Sequence, residues 1–295
     1  MKVKFFVDVE ADFFYYIPSP HFTKFGMLKW QINKLYGRLY RYPKPTRVGL
    51  INLVKVFKSY KLPVSFCIAG HLYFKKCAGW ENSTHPLKPR NNWYINKIGK
   101  DWYYWDRGGD FHTKPGLYLG DFIEKEMKDV DYFKFGLHGF SHEALTLEDK
   151  EVVEDIIKKG VSAAKELGIK IESFGAPFEM LCDLRDPNFI LEILKKYKIK
   201  ESQFAGFDEF LTNLRKLECK KPFKKVGIKL YHISNYLEGT DPFRKFKATL
   251  NTIKKLKNKD LTYVIVLHDF TWKREDKLSV FLKGLFKIKG IKFER

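Results

Sequence analysis

Short apolar runs alternate with helical patterns along the whole chain. The runs predict buried strands, which lie at 3–7, 63–69, 132–137, 171–174, 230–233 and 261–267. Between them, apolar residues recur every three or four positions, as in amphipathic helices, over 50–57, 153–164, 189–197, 243–253 and 278–285. Strands that alternate with helices predict an α/β protein with a parallel sheet. A barrel is favoured over an open doubly wound sheet, because no G-x-G-x-x-G turn follows the first strand.

Two long segments, at about 13–45 and 79–119, interrupt this alternation. Both are rich in aromatic and basic residues, and the second contains the run Trp-Tyr-Tyr-Trp at 102–105. Loops this long in a compact domain are usually functional, and in β/α barrels such loops cover the active site. The run predicts either a wall on which a sugar stacks, with Trp102 and Trp105 as substrate-binding residues, or a satellite core beneath the loop.

Composition narrows the class of protein. The 295 residues are 44% hydrophobic and 17% aromatic, which suffices for a substantial core and excludes a disordered chain. No linker rich in Gly, Pro or Ser divides the chain, so residues 1–295 are expected to form one domain.

No apolar stretch reaches the roughly 18 residues of a membrane span or resembles a signal peptide, so a cytoplasmic protein is expected. The four cysteines have no C-x-x-C spacing, which indicates neither a thiolate zinc site nor a disulfide framework.

The charge of the chain is strongly positive. It has 55 Lys and Arg against 35 Asp and Glu, a net charge of +20. Such a charge favours anionic partners, including a phosphorylated or lipid-linked substrate and the surface of an anionic membrane. The alternative is that lysines only solvate exposed helix faces. A nucleic-acid partner has only this charge in its favour and is not predicted, and nothing in the sequence indicates the oligomeric state.

Polar residues capable of catalysis lie just after predicted strands. Asp8 and Glu10 end the first strand, His138 and His142 follow the third, and His268 ends the last. In a barrel of parallel strands these positions meet at one mouth. Two imidazoles four residues apart, on one side of a helical turn, suit one metal ion when a carboxylate joins them. The alternatives are a helix N-cap or core salt bridge for the two acids, and a core histidine bonded to the backbone for His268.

These segments resemble the motifs of the polysaccharide deacetylase superfamily (NodB-homology, carbohydrate esterase family 4-like). The sequence FVDVEAD at 6–12 is similar to the first motif and LHGFSH at 137–142 to the second, with glycine where Ser or Thr is commoner. FGAPF at 174–178 and VLH at 266–268 are similar to the third and the last. The resemblance implies a distorted (β/α)7-type barrel with a divalent metal, commonly zinc. It also implies hydrolysis of an N-acyl group, acetyl or formyl, from a sugar.

The resemblance also assigns roles to individual residues. Asp8 would be the general base, and His268 would protonate the leaving amine. The backbone N–H of Phe178 would polarise the oxyanion, with Pro177 beside it at the substrate. The metal ligands that the resemblance implies are Glu10, His138 and His142.

Three departures from the family pattern leave questions open. Asp8-Val9-Glu10 replaces the usual Asp-Asp pair, so either acid is a candidate ligand. The arginine of the third motif, which orients the base, is Gly175 here. The pair that supports the catalytic histidine is not evident, and Asp208 and Glu238 are the candidates. Two other functions remain open: hydrolysis of a non-sugar amide such as a cyclic imide or ureide, and glycan binding by a catalytically inactive barrel.

Overall fold

The structure is a computed structural model. It describes residues 1–13, 45–82, 85–89, 92–114, 116–181, 186, 188–205, 219–272 and 274–295, and single positions between 17 and 32. The first predicted insertion, 13–45, and the candidate residue Asp208 therefore lie largely or wholly outside the described residues. None of the described helices is long and apolar enough to cross a membrane.

Strands and helices alternate along the described ranges. The strands are β1 (Lys2–Val9), β2 (Val64–Ile68), β3 (Lys76–Cys77), β4 (Gly109–Asp110), β5 (Phe133–Leu137), β6 (Ile171–Gly175), β7 (Glu201–Phe204), β8 (Phe223–Lys225), β9 (Ile228–His232), β10 (Asn235–Tyr236), β11 (Thr262–His268) and β12 (Lys292–Phe293). The α-helices of the continuous ranges are α1 (Pro45–Tyr60), α2 (Asn92–Ile98), α3 (Gly120–Glu126), α4 (Lys150–Glu166), α5 (Phe189–Lys196), α6 (Phe243–Leu256) and α7 (Glu275–Phe286). Each strand and helix predicted from the sequence overlaps one of these elements.

The main sheet curls into a distorted barrel. Its strand order is β10-β11-β1-β2-β5-β6-β7-β9-β8, and β12 pairs with β1 off this path. All these neighbours run parallel except β8 and β9, which are antiparallel. The arrangement confirms the predicted α/β class and the distorted barrel. It also places the carboxyl ends of the seven central strands at one mouth.

Alternate residues of β1 serve two different cores. On the outer face of β1, Phe5 packs edge-on against Phe57 of α1, with ring centroids 5.4 Å apart. On the inner face, Phe6 lies in a separate cluster inside the barrel, whose other members include Cys67, Tyr231, Val264 and Val266. The same inner row of β1 continues to Asp8, so the register that buries Phe6 also points Asp8 into the barrel mouth.

The strand β7 has the polar sequence ESQF, and no apolar pattern predicts it. Glu201 points into the barrel, where it accepts hydrogen bonds from Lys4 Nζ at 2.7 Å and Ser65 Oγ at 3.1 Å. Burial lowers the pKa of Lys4, and the charge of Glu201 opposes this shift. Polar residues can line the barrel because they pair with each other across it.

Candidate active site

Five side chains from distant parts of the chain converge at the mouth of the barrel. The centre of the group is Glu10 Oε1, which lies 3.4 Å from His138 Nε2, 3.3 Å from His142 Nε2 and 3.8 Å from His268 Nε2. Asp8, the fifth member, pairs in register with His268 of β11. Three imidazoles therefore surround one carboxylate oxygen that is almost completely buried.

The hydrogen bonds of His138 show whether a metal ion fits this group. Its Nδ1 donates to the carbonyl oxygen of Gly175 at 2.9 Å, because a carbonyl can only accept. In a neutral ring the other nitrogen, Nε2, then carries a lone pair. That atom is buried, has no hydrogen-bond partner among the described residues, and faces Glu10. Two acceptors that face each other fit a cation between them, and a carbonyl behind the ring is the usual support of a metal-bound histidine.

The two acids at the mouth differ in their electrostatic surroundings. Burial alone would raise the pKa of Glu10, but the neighbouring His142 and His138 hold it well below its ordinary value. Burial raises the pKa of Asp8, and the charges of His138 and His268 only partly oppose this shift. Glu10 is also the carboxylate that contacts Nε2 of both imidazoles. The nearest approach of Asp8 to His138 is on the other side of the ring, with 3.9 Å between Asp8 Oδ1 and His138 Nδ1.

The turn that joins His138 and His142 is not helical, which corrects the expectation from their spacing. Gly139 and His142 both have left-handed backbone conformations, with φ of +67° and +68°. A Cβ at position 139 would lie only 2.6 Å from Glu143 Oε2, which explains the glycine at this position. The buried Glu143 accepts two backbone N–H bonds from the turn, each at 2.8 Å. This turn brings the two imidazole centroids to within 4.9 Å of each other.

Gln203 of β7 is a site residue that sequence reasoning missed. Its Nε2 donates to both oxygens of Asp8, at 2.6 and 2.8 Å. A Cβ at position 175 would lie 2.7 Å from Asp8 Oδ1 and 2.8 Å from Gln203 Nε2. The glycine in place of the expected arginine therefore leaves room for an amide that approaches Asp8 from the opposite side of the barrel.

His268 is held by a carboxylate on its outer side. Its Nδ1 lies 2.6 Å from Oε1 of Glu238, one of the two candidate supporting residues; the other, Asp208, lies outside the described residues. Burial opposes the charged form, but Glu238, Glu10 and Asp8 together raise the pKa of His268 well above its ordinary value. The His268 and Glu238 side chains are 21% and 19% exposed, so the site opens to solvent on this side.

Asp269 fixes the backbone that carries the acids, and sequence reasoning gave it no role. Its carboxylate accepts the N–H groups of Glu10 at 3.0 Å and Ala11 at 3.3 Å. Burial raises its pKa to about 8. The residue is fully buried, and its contacts with the backbone position Glu10.

Pro177 and Phe178 lie beside the imidazole pair. Pro177 is buried next to Gly139, and Phe178 has a left-handed backbone with φ of +55°. The Phe178 ring packs edge-on against His142, with centroids 4.3 Å apart. Substrate contact by Pro177 and polarisation of an oxyanion by the Phe178 N–H remain predictions.

Trp102 and Trp105 do not form a wall for a sugar, which corrects their assignment as substrate-binding residues. They are 3% and 4% exposed. Trp105 packs edge-on against Phe13 and His71, with centroids 4.9 and 5.0 Å away. Trp102 Nε1 donates to Ser141 Oγ at 2.8 Å, within the turn between the two histidines. The rings therefore form the satellite core, and they support the site from behind.

A Trp102→Phe substitution is expected to destabilise the protein by about 1–3 kcal/mol, because it removes a buried hydrogen bond and leaves a cavity. The free energy of unfolding in urea measures this effect. Trp80→Phe is a matched control in the same segment, since the Trp80 ring is only half-buried and is covered by Lys88. A rise in KM with unchanged stability would instead favour the substrate wall.

Comparisons with known proteins identify the fold. No family model matches the sequence, and no curated protein matches it. Among solved structures, one described as a "putative polysaccharide deacetylase" from Mycobacterium smegmatis matches with a TM-score of 0.58 and 14% identity, over 99% of this chain and 85% of the other. Puue allantoinase matches with a TM-score of 0.57 and 12% identity, over 100% of this chain and 87% of the other. The chain therefore has the barrel fold that its resemblance to the polysaccharide deacetylases implies.

Proposed function

We propose that this protein is a metal-dependent hydrolase that removes an N-acyl group, acetyl or formyl, from a sugar. The observation that carries the proposal is the position of Glu10 Oε1 within 3.8 Å of the Nε2 atoms of three histidines at the barrel mouth. The ion would be held by Glu10, His138 and His142, and zinc suits this donor set. Once bound, the ion would supply Lewis acidity for the acyl carbonyl and the attacking water.

The residues around this centre can move the two protons that the reaction requires. Water adds to the acyl carbon and the C–N bond breaks, giving a carboxylic acid and a free amine. Asp8 accepts a proton from the water, and Gln203 keeps its carboxylate oriented. His268, charged through its contact with Glu238, donates a proton to the leaving nitrogen. The N–H of Phe178 would stabilise the negative charge on the carbonyl oxygen.

The charge of the protein supports an anionic substrate. With a net charge of +20, the protein attracts a phosphorylated or lipid-linked sugar and the surface of an anionic membrane. A cytoplasmic location, with peripheral contact at the membrane, is part of this proposal.

A second candidate function is hydrolysis of a ureide or cyclic imide. One solved structure with this fold is an allantoinase. Both reactions break a C–N bond at a carbonyl, so the same acid and base would serve. The two candidates differ only in the substrate that the mouth accepts.

Metal analysis and a substrate screen test the proposal together. His138→Ala combined with His142→Ala is expected to lower the metal content by one ion per chain and to abolish hydrolysis. His112→Ala, which changes an exposed histidine, is the matched control. The screen measures amine release from N-acetyl and N-formyl sugar phosphates, and it measures ring opening of allantoin and hydantoin by the ureido carboxylate that forms.

Each outcome of the screen supports or contradicts one function. Release of amine from an acylated sugar supports the first candidate, and hydrolysis of allantoin or hydantoin alone supports the second. A metal-loaded protein that hydrolyses none of these substrates would contradict both candidate functions. Glycan binding by a catalytically inactive barrel would then be the remaining function. Unchanged metal content in the double histidine variant would contradict the ligand assignment.

A further inference from the structure

A second cluster of metal-binding side chains lies outside the proposed active site. It consists of His71, Cys77, His85 and Asp106, and it shares no residue with the first. One potential ligand atom from each residue lies within 4.8 Å of those from the other three. We propose that these four residues bind a second divalent metal ion, zinc, which fixes the 79–119 segment to the barrel.

The hydrogen bonds of His71 leave one nitrogen directed at the cluster. His71 is fully buried in a short 3₁₀ turn, Gly70–Tyr73, after β2. Its Nδ1 donates to the carbonyl oxygen of Leu117 at 2.9 Å. Its Nε2 lies 3.0 Å from Asp106 Oδ2. In a neutral ring this Nε2 carries a lone pair and faces a second acceptor, an arrangement that a metal ion between the two atoms would satisfy.

Asp106 is arranged as a ligand that binds through one oxygen. Its Oδ1 accepts hydrogen bonds from the Tyr118 hydroxyl at 2.7 Å and the Gly108 N–H at 3.0 Å. Its Oδ2 instead faces two imidazoles, His71 Nε2 at 3.0 Å and His85 Nε2 at 2.9 Å. The hydrogen bonds to Oδ1 hold the carboxylate in place, as outer partners do around metal ligands.

Cys77 supplies the fourth donor. It lies in β3, which pairs with β4 of the same segment. Its sulfur accepts the N–H of Gly79 at 3.3 Å, a contact that favours the thiolate, the form that binds metal. One thiolate, one carboxylate and two neutral imidazoles balance the charge of a divalent ion, so the buried site would carry no net charge.

The dimensions of the cluster suit zinc. Zinc bonds of about 2.0–2.3 Å in a tetrahedron place ligand atoms about 3.3–3.8 Å from each other. The distances from Asp106 Oδ2 to the two imidazoles, 3.0 and 2.9 Å, lie a few tenths of an ångström below this range, so a bound ion would move these side chains slightly apart. Mixed sulfur and nitrogen donors favour zinc over magnesium or calcium, which prefer oxygen.

The proposed ion would connect the chain that follows β2 to two points within the 79–119 segment. His71 lies directly after β2, whereas His85 and Asp106 lie within the segment that carries Trp102. Trp102 in turn donates to Ser141 in the turn of the first site. The second ion would therefore support the active-site turn indirectly, through packing, without contact with a substrate.

Cobalt substitution distinguishes the two sites, because only the second contains sulfur. The full-length protein, stripped of metal and titrated with Co²⁺, is expected to bind two ions per chain and to show a thiolate-to-cobalt charge-transfer band in the near ultraviolet. Cys77→Ser should remove this band, and Cys219→Ser, at a half-buried cysteine outside the cluster, should retain it. The band should also persist in the variant that lacks His138 and His142.

The spectrum of the unmodified protein decides the proposal even if a variant fails to fold. Absence of the band in the cobalt-titrated protein would overturn it and leave a hydrogen-bonded network around Asp106, whereas a single bound ion with the band present would count against the first site only. A band that survives Cys77→Ser in folded protein would overturn it as well. His85→Gln provides a second variant, for which we expect loss of one ion per chain. Activity enters none of these measurements, so their failure is distinct from failure of the proposed function.

Discussion

Asp8→Asn is expected to lower kcat by about 100- to 10,000-fold, the usual contribution of a general base, while one metal ion remains at the first site. Asn has nearly the shape of Asp but cannot accept a proton from water. The ligand set Glu10, His138 and His142 is unchanged by the substitution. Steady-state kinetics on the substrate identified by the screen, together with the metal content of the same sample, measures both effects.

Gln203 provides the control for this prediction. Gln203→Leu removes the amide that donates to both Asp8 oxygens, but it leaves the base itself in place. A positioning residue of this kind is expected to lower kcat by about 10- to 100-fold, less than Asp8→Asn. Equal kcat values for Asp8→Asn and the unmodified protein, with both folded and metal-loaded, would remove Asp8 from the mechanism.

The sequence predicted the barrel because most of its strands are apolar. Runs such as 261–267 are buried on both faces, so their continuous apolar sequence predicts a strand directly. The alternation of such runs with helices indicates a parallel sheet. The strand β7 escaped prediction because Glu201 and Gln203 point inward. Their partners, Lys4 and Asp8, are almost 200 positions earlier in the chain. A polar barrel interior leaves no periodic apolar signal, and only the three-dimensional structure shows the pairing.

The sequence predicted those site residues whose side chains suit catalysis and which directly follow a predicted strand. Asp8, Glu10, the histidine pair and His268 all follow apolar runs, and the barrel brings such positions together. The geometry of the turn between His138 and His142 could not be predicted, because spacing alone does not distinguish a helical turn from two left-handed residues. Glu238 could be given only as a candidate from the sequence, because its contact of 2.6 Å with His268 joins residues 30 positions apart.

The aromatic segment shows the limit of reasoning from composition. A run of Trp and Tyr suits both a sugar-binding wall and a small core, and the choice depends on what covers the rings. Trp105 is covered by Phe13 and His71, which lie in the loops after β1 and β2.

The proposed second metal site could not be predicted from the sequence for a related reason. Its residues lie at 71, 77, 85 and 106, a spacing that matches no zinc motif, and only the folded loop brings them together.

His268→Ala is expected to lower kcat by about 100- to 10,000-fold with the metal content unchanged, because an amide nitrogen leaves poorly unless it is protonated. His268 is not one of the three proposed ligands, and its contact with Glu238 keeps it cationic. Kinetics and metal analysis of one preparation test the prediction, and added imidazole should restore part of the activity. His232→Ala is the matched control, since His232 ends another strand of the same sheet, β9, but packs against Phe204.

Glu238→Gln tests the same proton donor without removing it. The carboxylates Glu238, Glu10 and Asp8 face His268 and raise its pKa, whereas burial opposes the cation. An acid must be protonated to act, so activity falls as the pH rises through the pKa of His268. Loss of the Glu238 charge lowers that pKa, and the falling limb of the kcat profile should move to lower pH. A limb that stays in place in Glu238→Gln, or a fully active His268→Ala enzyme, would show that another group donates the proton.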